Sequence, residues 1–281
     1  MAKMRIIHRA KRAGQIYRDY GFAGLAELFR KRTKPLRRNA VGYGRYFAHR
    51  IIDKMRYRKS LADPYKTIWV PLQQIERMHV PNFYLRFSAF GTFVLSGEWD
   101  NAHSEEEIGF KFHESEKVGK IENYLVYQSV RQWLKEDVEW EDTWWAKTLR
   151  ERNGVSAAAA KHEKLRNLAA SIKENGYQVQ QALKNAGAKS FTPWSVPPEH
   201  GEIVVDIGRD GDVLFDDGTH RFCIAKALGI QEVPVRVLIR HKEWQGKRYQ
   251  MHKAKSIRDL NDTLARYVDH PDMQDVRPAD C

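Results

Sequence analysis

The sequence predicts an α+β protein built on a small mixed sheet, and three stretches of the C-terminal third predict it. Residues 157–176 carry one apolar helical face, with Leu165, Leu168, Ala169 and Ile172 in line and Gly176 as the stop. Glu202 to Ile207 and Asp212 to Phe215 read as two strands joined by Gly208-Arg-Asp-Gly211, whose Asp-Gly pair favours a tight hairpin turn. Phe222 to Leu228 then reads as a short helix capped by Gly229, and Val233 to Ile239 as a further strand.

Ahead of these elements, apolar residues recur at helical spacing from Met4 to about Lys34. A second basic stretch sets Tyr43, Tyr46, Phe47, Ile51, Ile52 and Met55 among Arg45, Arg50, Lys54, Arg56 and Arg58. Both read as basic amphipathic helices, either laid on an anionic membrane surface or packed on the body with a solvated basic face. Composition changes at Asp63-Pro64, and Lys66 to Val70 reads as the first strand of the body. Tyr84 to Leu95 reads as one or two strands and 101–120 as a polar loop. Between Asn123 and Glu151, Tyr124, Tyr127, Val130, Trp133, Leu134, Trp144, Trp145 and Leu149 keep helical spacing around a break at 138–142. This aromatic-rich helical region serves as plain core or as one wall of a cleft. Four segments result: a basic helical arm (1–62), first strands plus the aromatic-rich insertion (63–160), the α/β core (161–250) and a polar tail (251–281).

Charge is unevenly placed. The formal net charge is +12, yet residues 1–60 hold 18 Lys and Arg against three acids while the remainder is slightly acidic. Any polyanion, membrane surface or nucleic acid is therefore expected to meet the first 60 residues. The absence of a long apolar run or a leader-like apolar stretch predicts a cytoplasmic protein, peripheral at most on the inner membrane face. Cys223 and Cys281 have neither disulfide-framework nor metal-ligand spacing.

The residues that promise chemistry are Asp216-Asp217-Gly218-Thr219-His220-Arg221, between the hairpin and the short helix. A strand running through glycine into a helix points backbone N–H groups at a bound anion, and Gly218 lets the main chain approach it. Arg221 adds a planar, permanently charged fork and His220 a further donor, while Thr219 caps the helix or contacts phosphate. Asp216 and Asp217 either position a magnesium-bound nucleotide or cap the same turn. A capped turn with a buried ion pair is the plainer account of the same six residues.

The order of these elements resembles the ParB/sulfiredoxin superfamily over about 80 residues. The matching pieces are the helix ending Ser171-Ile-Lys-Glu-Asn-Gly176, the hairpin, the Gly218-Thr-His-Arg221 turn, the helix Ile224 to Gly229 and the strand Val233 to Leu238. Nearly the whole chain is also similar to a ParB-like family of prokaryotes, chiefly archaeal. Asp63-Pro-Tyr-Lys66, Gly97-Glu-Trp-Asp100, Trp140-Glu-Asp-Thr143 and Arg240-His-Lys-Glu-Trp-Gln245 carry that likeness. The superfamily includes CTP-hydrolysing partition proteins, sulfiredoxin, which uses ATP, and kinases of free serine. The resemblance implies that Gly218 and Arg221 meet nucleotide phosphates. Sulfiredoxin chemistry is not expected, because Thr219 stands where its reactive cysteine would be. A partition role is disfavoured as well, since partition proteins continue into helix-turn-helix and dimerisation domains whereas 37 mostly polar residues follow Trp244 here.

The resulting expectation is a nucleotide-dependent phosphotransferase or phosphohydrolase using ATP, ADP or CTP with magnesium, on a membrane-bound or glycan-linked hydroxyl acceptor. Asp217, Asp216 and His220 are its candidate catalytic residues, and Gly218, Thr219, His220 and Arg221 its phosphate ligands. Glu174, Asp100, Arg240 and His241 are secondary candidates. A ParB-like DNA-binding protein or nuclease, and a nucleotide-gated binding module without turnover, are the alternatives.

Overall fold

The computed structural model describes residues 50–63, 65–80, 93–109, 117–187 and 198–279. The basic helices expected before residue 50, most of the strand expected over 84–95, and the stretch around Pro193 and Pro197, which the sequence leads one to expect as a loop, lie outside the described residues. Residues 50–57 are helical (α1), with Ile51, Ile52 and Met55 exposed.

Eight strands form one mixed sheet: β1 (Thr67–Pro71), β2 (Arg77–Val80), β3 (Phe93–Leu95), β4 (His103–Ser104), β5 (Lys117–Lys120), β6 (Ile203–Ile207), β7 (Val213–Asp217) and β8 (Glu232–His241). The order across the sheet is β1-β8-β6-β7-β2-β5-β4, with β3 pairing the far end of β8. The fold class is thus α+β, as the sequence predicts. β6 and β7 are the expected antiparallel hairpin, and β8 returns parallel to β6. β2, parallel to β7, joins strands from 63–160 to those from 161–250, and residues 53–281 make one compact unit. The stretch 101–120, read as a loop, contains β4 and β5; each is too short to leave a period in the sequence.

Side-chain alternation along the strands divides the sheet into two faces. Met78, Val205, Phe215, Val235 and Val237 join the main core with residues of α2 (Leu125–Lys135), α4 (Val155–Asn175) and α6 (Thr219–Leu228). Val204, Leu214, Leu238 and Ile239 enter a second, smaller cluster around Trp99 and Val118. α3 (Trp144–Asn153) is capped by Thr143, whose side chain accepts from the Ala146 N–H, and Trp145 is buried in its first turn. α5 (Gln180–Asn185) leads toward β6. Trp140 and Trp145 are core residues, so the aromatic region is core first.

α7 (Lys242–Lys253) carries Trp244 into the main core, and the tail that begins at its end adds Met251, Leu264 of α8 (Asp262–Ala265), Val268, Met273 and Val276. Buried Asp272 accepts from Arg240 Nε at 2.9 Å, from Arg240 Nη2 at 2.6 Å and from Trp244 Nε1 at 2.8 Å, with Arg248 Nη1 3.5 Å away. These cations hold its carboxyl far below the usual carboxylate range against the opposing effect of burial. No helix among the described residues is long and apolar enough to cross a membrane.

Candidate functional site

The site is built where β7 hands over to α6. β7 ends in a β-bulge: Val205 pairs with Phe215 but Val204 pairs with Asp217, so Asp216 is the extra residue. Gly218 follows with φ 89° and ψ 29°, in the left-handed region. A Cβ there would stand 3.0 Å from Ile203 Cα, so only glycine lets the chain pass this close to β6. Thr219, His220 and Arg221 are the first turn of α6, and the Phe222 N–H donates to the Gly218 carbonyl at 3.0 Å. The first amides of α6 thus face the turn, where the helix dipole favours negative charge.

Three sets of side chains converge on this turn. Arg221 Nη1 lies 3.5 Å from Glu202 Oε2. Glu202 is itself buried and accepts from the Gln180 N–H at 2.6 Å and from Tyr177 Oη at 3.1 Å. Burial pushes the Glu202 carboxyl up, while the Gln180 amide and Arg221 oppose that rise; burial also pushes the Tyr177 phenol up. Arg221 is therefore tethered by a carboxylate that the surrounding fold holds in place.

Opposite, the His220 ring stacks on Trp145 at 5.6 Å between centroids, nearly parallel, and Thr219 Oγ1 lies 3.3 Å from Tyr124 Oη. Lys161 Nζ stands 5.8 Å from the centre of the Trp145 ring. Burial, with Lys164 nearby, lowers the Lys161 pKa. The aromatic region thus supplies a rigid backing for the turn as well as core.

The bulge supplies the third set. Asp217 is exposed, and its Oδ1 accepts from the Gly218 N–H at 2.8 Å; Asp216 is buried. Both carboxylates act electrostatically on Arg236, a fully buried residue at the centre of β8. Among the described residues no three His, Cys, Asp or Glu side chains gather as a metal centre. A magnesium ion at Asp216 and Asp217 would draw its remaining ligands from phosphate oxygens and water.

The structure brings Asp216, Asp217, Gly218, Thr219, His220 and Arg221 together. The secondary candidates have other partners. Asp100 receives Arg209 Nη2 at 2.8 Å and the Arg209 N–H at 2.7 Å, which fastens the 97–101 segment to the hairpin turn. Arg240 is held by Asp272. His241 accepts from the Glu243 N–H at the start of α7, and its Nε2 lies 3.0 Å from the Gly97 carbonyl oxygen. Glu174 is exposed in the last turn of α4, and Cys223 is fully buried within α6. Sequence reasoning missed Glu202, Tyr177 and Arg236. Glu202 reads as an ordinary strand start, and a charged residue inside Val233-Pro-Val-Arg-Val-Leu is the one signal that marks Arg236.

No family model matches the chain, and no curated protein or solved structure matches it either.

Proposed function

We propose that the Gly218 turn binds the phosphates of a nucleotide and that the protein is a nucleotide-dependent phosphotransferase or phosphohydrolase. One observation carries this reading: a left-handed glycine opens onto the N-terminus of a ten-residue helix, and Arg221 beside it is pre-positioned by buried Glu202. Phosphoryl transfer asks for little more from a protein than fixed positive charge around phosphate oxygens and an aligned nucleophile. Arg221 and the α6 amides supply the charge, and His220, held flat on Trp145, donates from a fixed direction. Asp217, exposed at the rim, is the carboxylate placed to align an acceptor hydroxyl. Resemblance to the ParB/sulfiredoxin superfamily agrees with this assignment.

Incubation of the full chain with γ-labelled ATP or CTP and magnesium tests turnover, with released or transferred label as the expected product. A binding-only nucleotide switch is the second reading. It is favoured by the bond from the Gly218 N–H to Asp217, which engages the carboxylate that transfer would need. Tight nucleotide binding with no label released or transferred would select it.

A further inference from the structure

Arg236 is the most unusual residue of the sheet. Its side chain is fully buried, and none of its three guanidinium nitrogens has a hydrogen-bond partner among the described residues. Leaving such a group unsatisfied in a folded core is strongly unfavourable, whereas a ligand oxyanion would satisfy it.

Its surroundings say where that oxyanion would sit. Arg236 pairs with Val204 of β6, and Val204 in turn pairs with Asp217 of β7, so the three lie in one row across the sheet. Two strand spacings, about 10 Å, separate Arg236 from Asp217. Arg236 alternates with Val235 and Val237, which enter the main core with the helices; its side chain is therefore on the opposite face, that of Val204. His200, in the turn Pro198–Gly201 just before β6, feels the Arg236 charge, and its buried Nδ1 also has no hydrogen-bond partner among the described residues. His200 is partly exposed. Tyr65, just before β1, acts electrostatically on the same guanidinium. That tyrosine belongs to the Asp63-Pro-Tyr-Lys66 stretch, for which the phosphate turn gives no account.

We infer that Arg236 and His200 form a second oxyanion subsite, on the sheet face opposite the helices, which takes a carboxylate or phosphate group carried by the acceptor. The guanidinium offers the fork that such a group accepts in bidentate fashion, and His200 adds a third donor. Asp217, in the same row, stands between this subsite and the α6 N-terminus. A hydroxyl on an acceptor anchored at Arg236 is thereby presented toward the nucleotide side. The acceptor role rests on the phosphate-turn reading; the subsite itself does not.

Calorimetric titration of the full chain with inorganic phosphate tests it, with circular dichroism as the check on folding. Wild type is expected to take up two equivalents. Arg236→Lys keeps a cation but loses the fork, and is expected to weaken one equivalent roughly tenfold to a hundredfold. His200→Ala, at a partly exposed position, is expected to weaken the same equivalent several-fold, and this decides the matter if the Arg236 variant does not fold. Arg221→Ala should weaken only the other equivalent. Acetate competing for the Arg236 equivalent would identify a carboxylate-bearing acceptor, and phosphate binding untouched by acetate a phosphorylated one. A single equivalent removed by Arg221→Ala but unchanged in Arg236→Lys and His200→Ala overturns the subsite and leaves the turn standing. A single equivalent with the reverse pattern keeps the subsite and removes the turn. No uptake by wild type overturns both.

Discussion

Replacing Gly218 with alanine tests the turn through a comparison that α6 itself provides. Both ends of this helix carry a left-handed glycine, Gly218 at φ 89° and Gly229 at φ 75°. An L-residue in that conformation costs roughly 1–2 kcal/mol, and at Gly229 nothing lies within 4 Å of an added Cβ, so strain is the whole effect there. At Gly218 the added Cβ meets Ile203 Cα at 3.0 Å and Ile203 Cγ1 at 3.4 Å. Ile203 opens a central strand and pairs with Val235 of β8, so its backbone is held on that side, and overpacking adds about 1–3 kcal/mol. Urea unfolding with unchanged m-values should therefore place Gly229→Ala about 1–2 kcal/mol below wild type and Gly218→Ala about 2–5 kcal/mol below it. Gly218→Ala should also weaken nucleotide binding, because relieving the contact with Ile203 shifts the turn proposed to hold phosphate, while Gly229→Ala retains it. Equal destabilisation by the two substitutions would refute the reasoning.

Asp272→Asn should destabilise the protein by about 3–5 kcal/mol in urea, because it leaves Arg240 and Arg248 buried without their shared counter-charge. Since its folded pKa is depressed, the Asp272 contribution is fully present above the ordinary aspartate value and is lost as pH falls below roughly 4. The stability profile of Asp272→Asn should accordingly be flatter than wild type in that acid range, and a wild-type slope there would argue against the network. Asp100→Asn should lower the thermal midpoint by a few degrees by loosening Arg209, yet leave nucleotide affinity unchanged. Lost nucleotide affinity in Asp100→Asn would return Asp100 to the site.

The readable parts of the chain are those whose signals are local. α4, the β6–β7 hairpin, α6 and β8 each carry their own apolar period and their own stop, and the Gly218 turn is spelled out by consecutive residues. β2 carried no such mark. It has four residues, and its place beside β7 depends on pairings made across more than a hundred positions. α7 escaped for a chemical reason. Its buried positions include Gln245 and Arg248, which donate to the Ser60 carbonyl and, from Arg248, to Asp275, so its inward face reads as polar. Asp272 likewise looks like part of a solvated tail until Arg240 and Trp244 are seen to close on it. Within the site, the turn residues were legible but their supports were not. Glu202 and Tyr177 come to the turn, and Arg236 to the same row of the sheet, from other elements, and spacing along the chain says nothing of such encounters.

The central claim is that the Gly218–Arg221 turn holds nucleotide phosphate, and calorimetric titration with ATP, ADP and CTP plus magnesium tests it most directly. At least one nucleotide is predicted to bind wild type, with affinity roughly tenfold or more weaker in Arg221→Ala, the loss of a charge-assisted bond. A wild type that binds none of the three, or an Arg221→Ala variant that binds as wild type does, would contradict it.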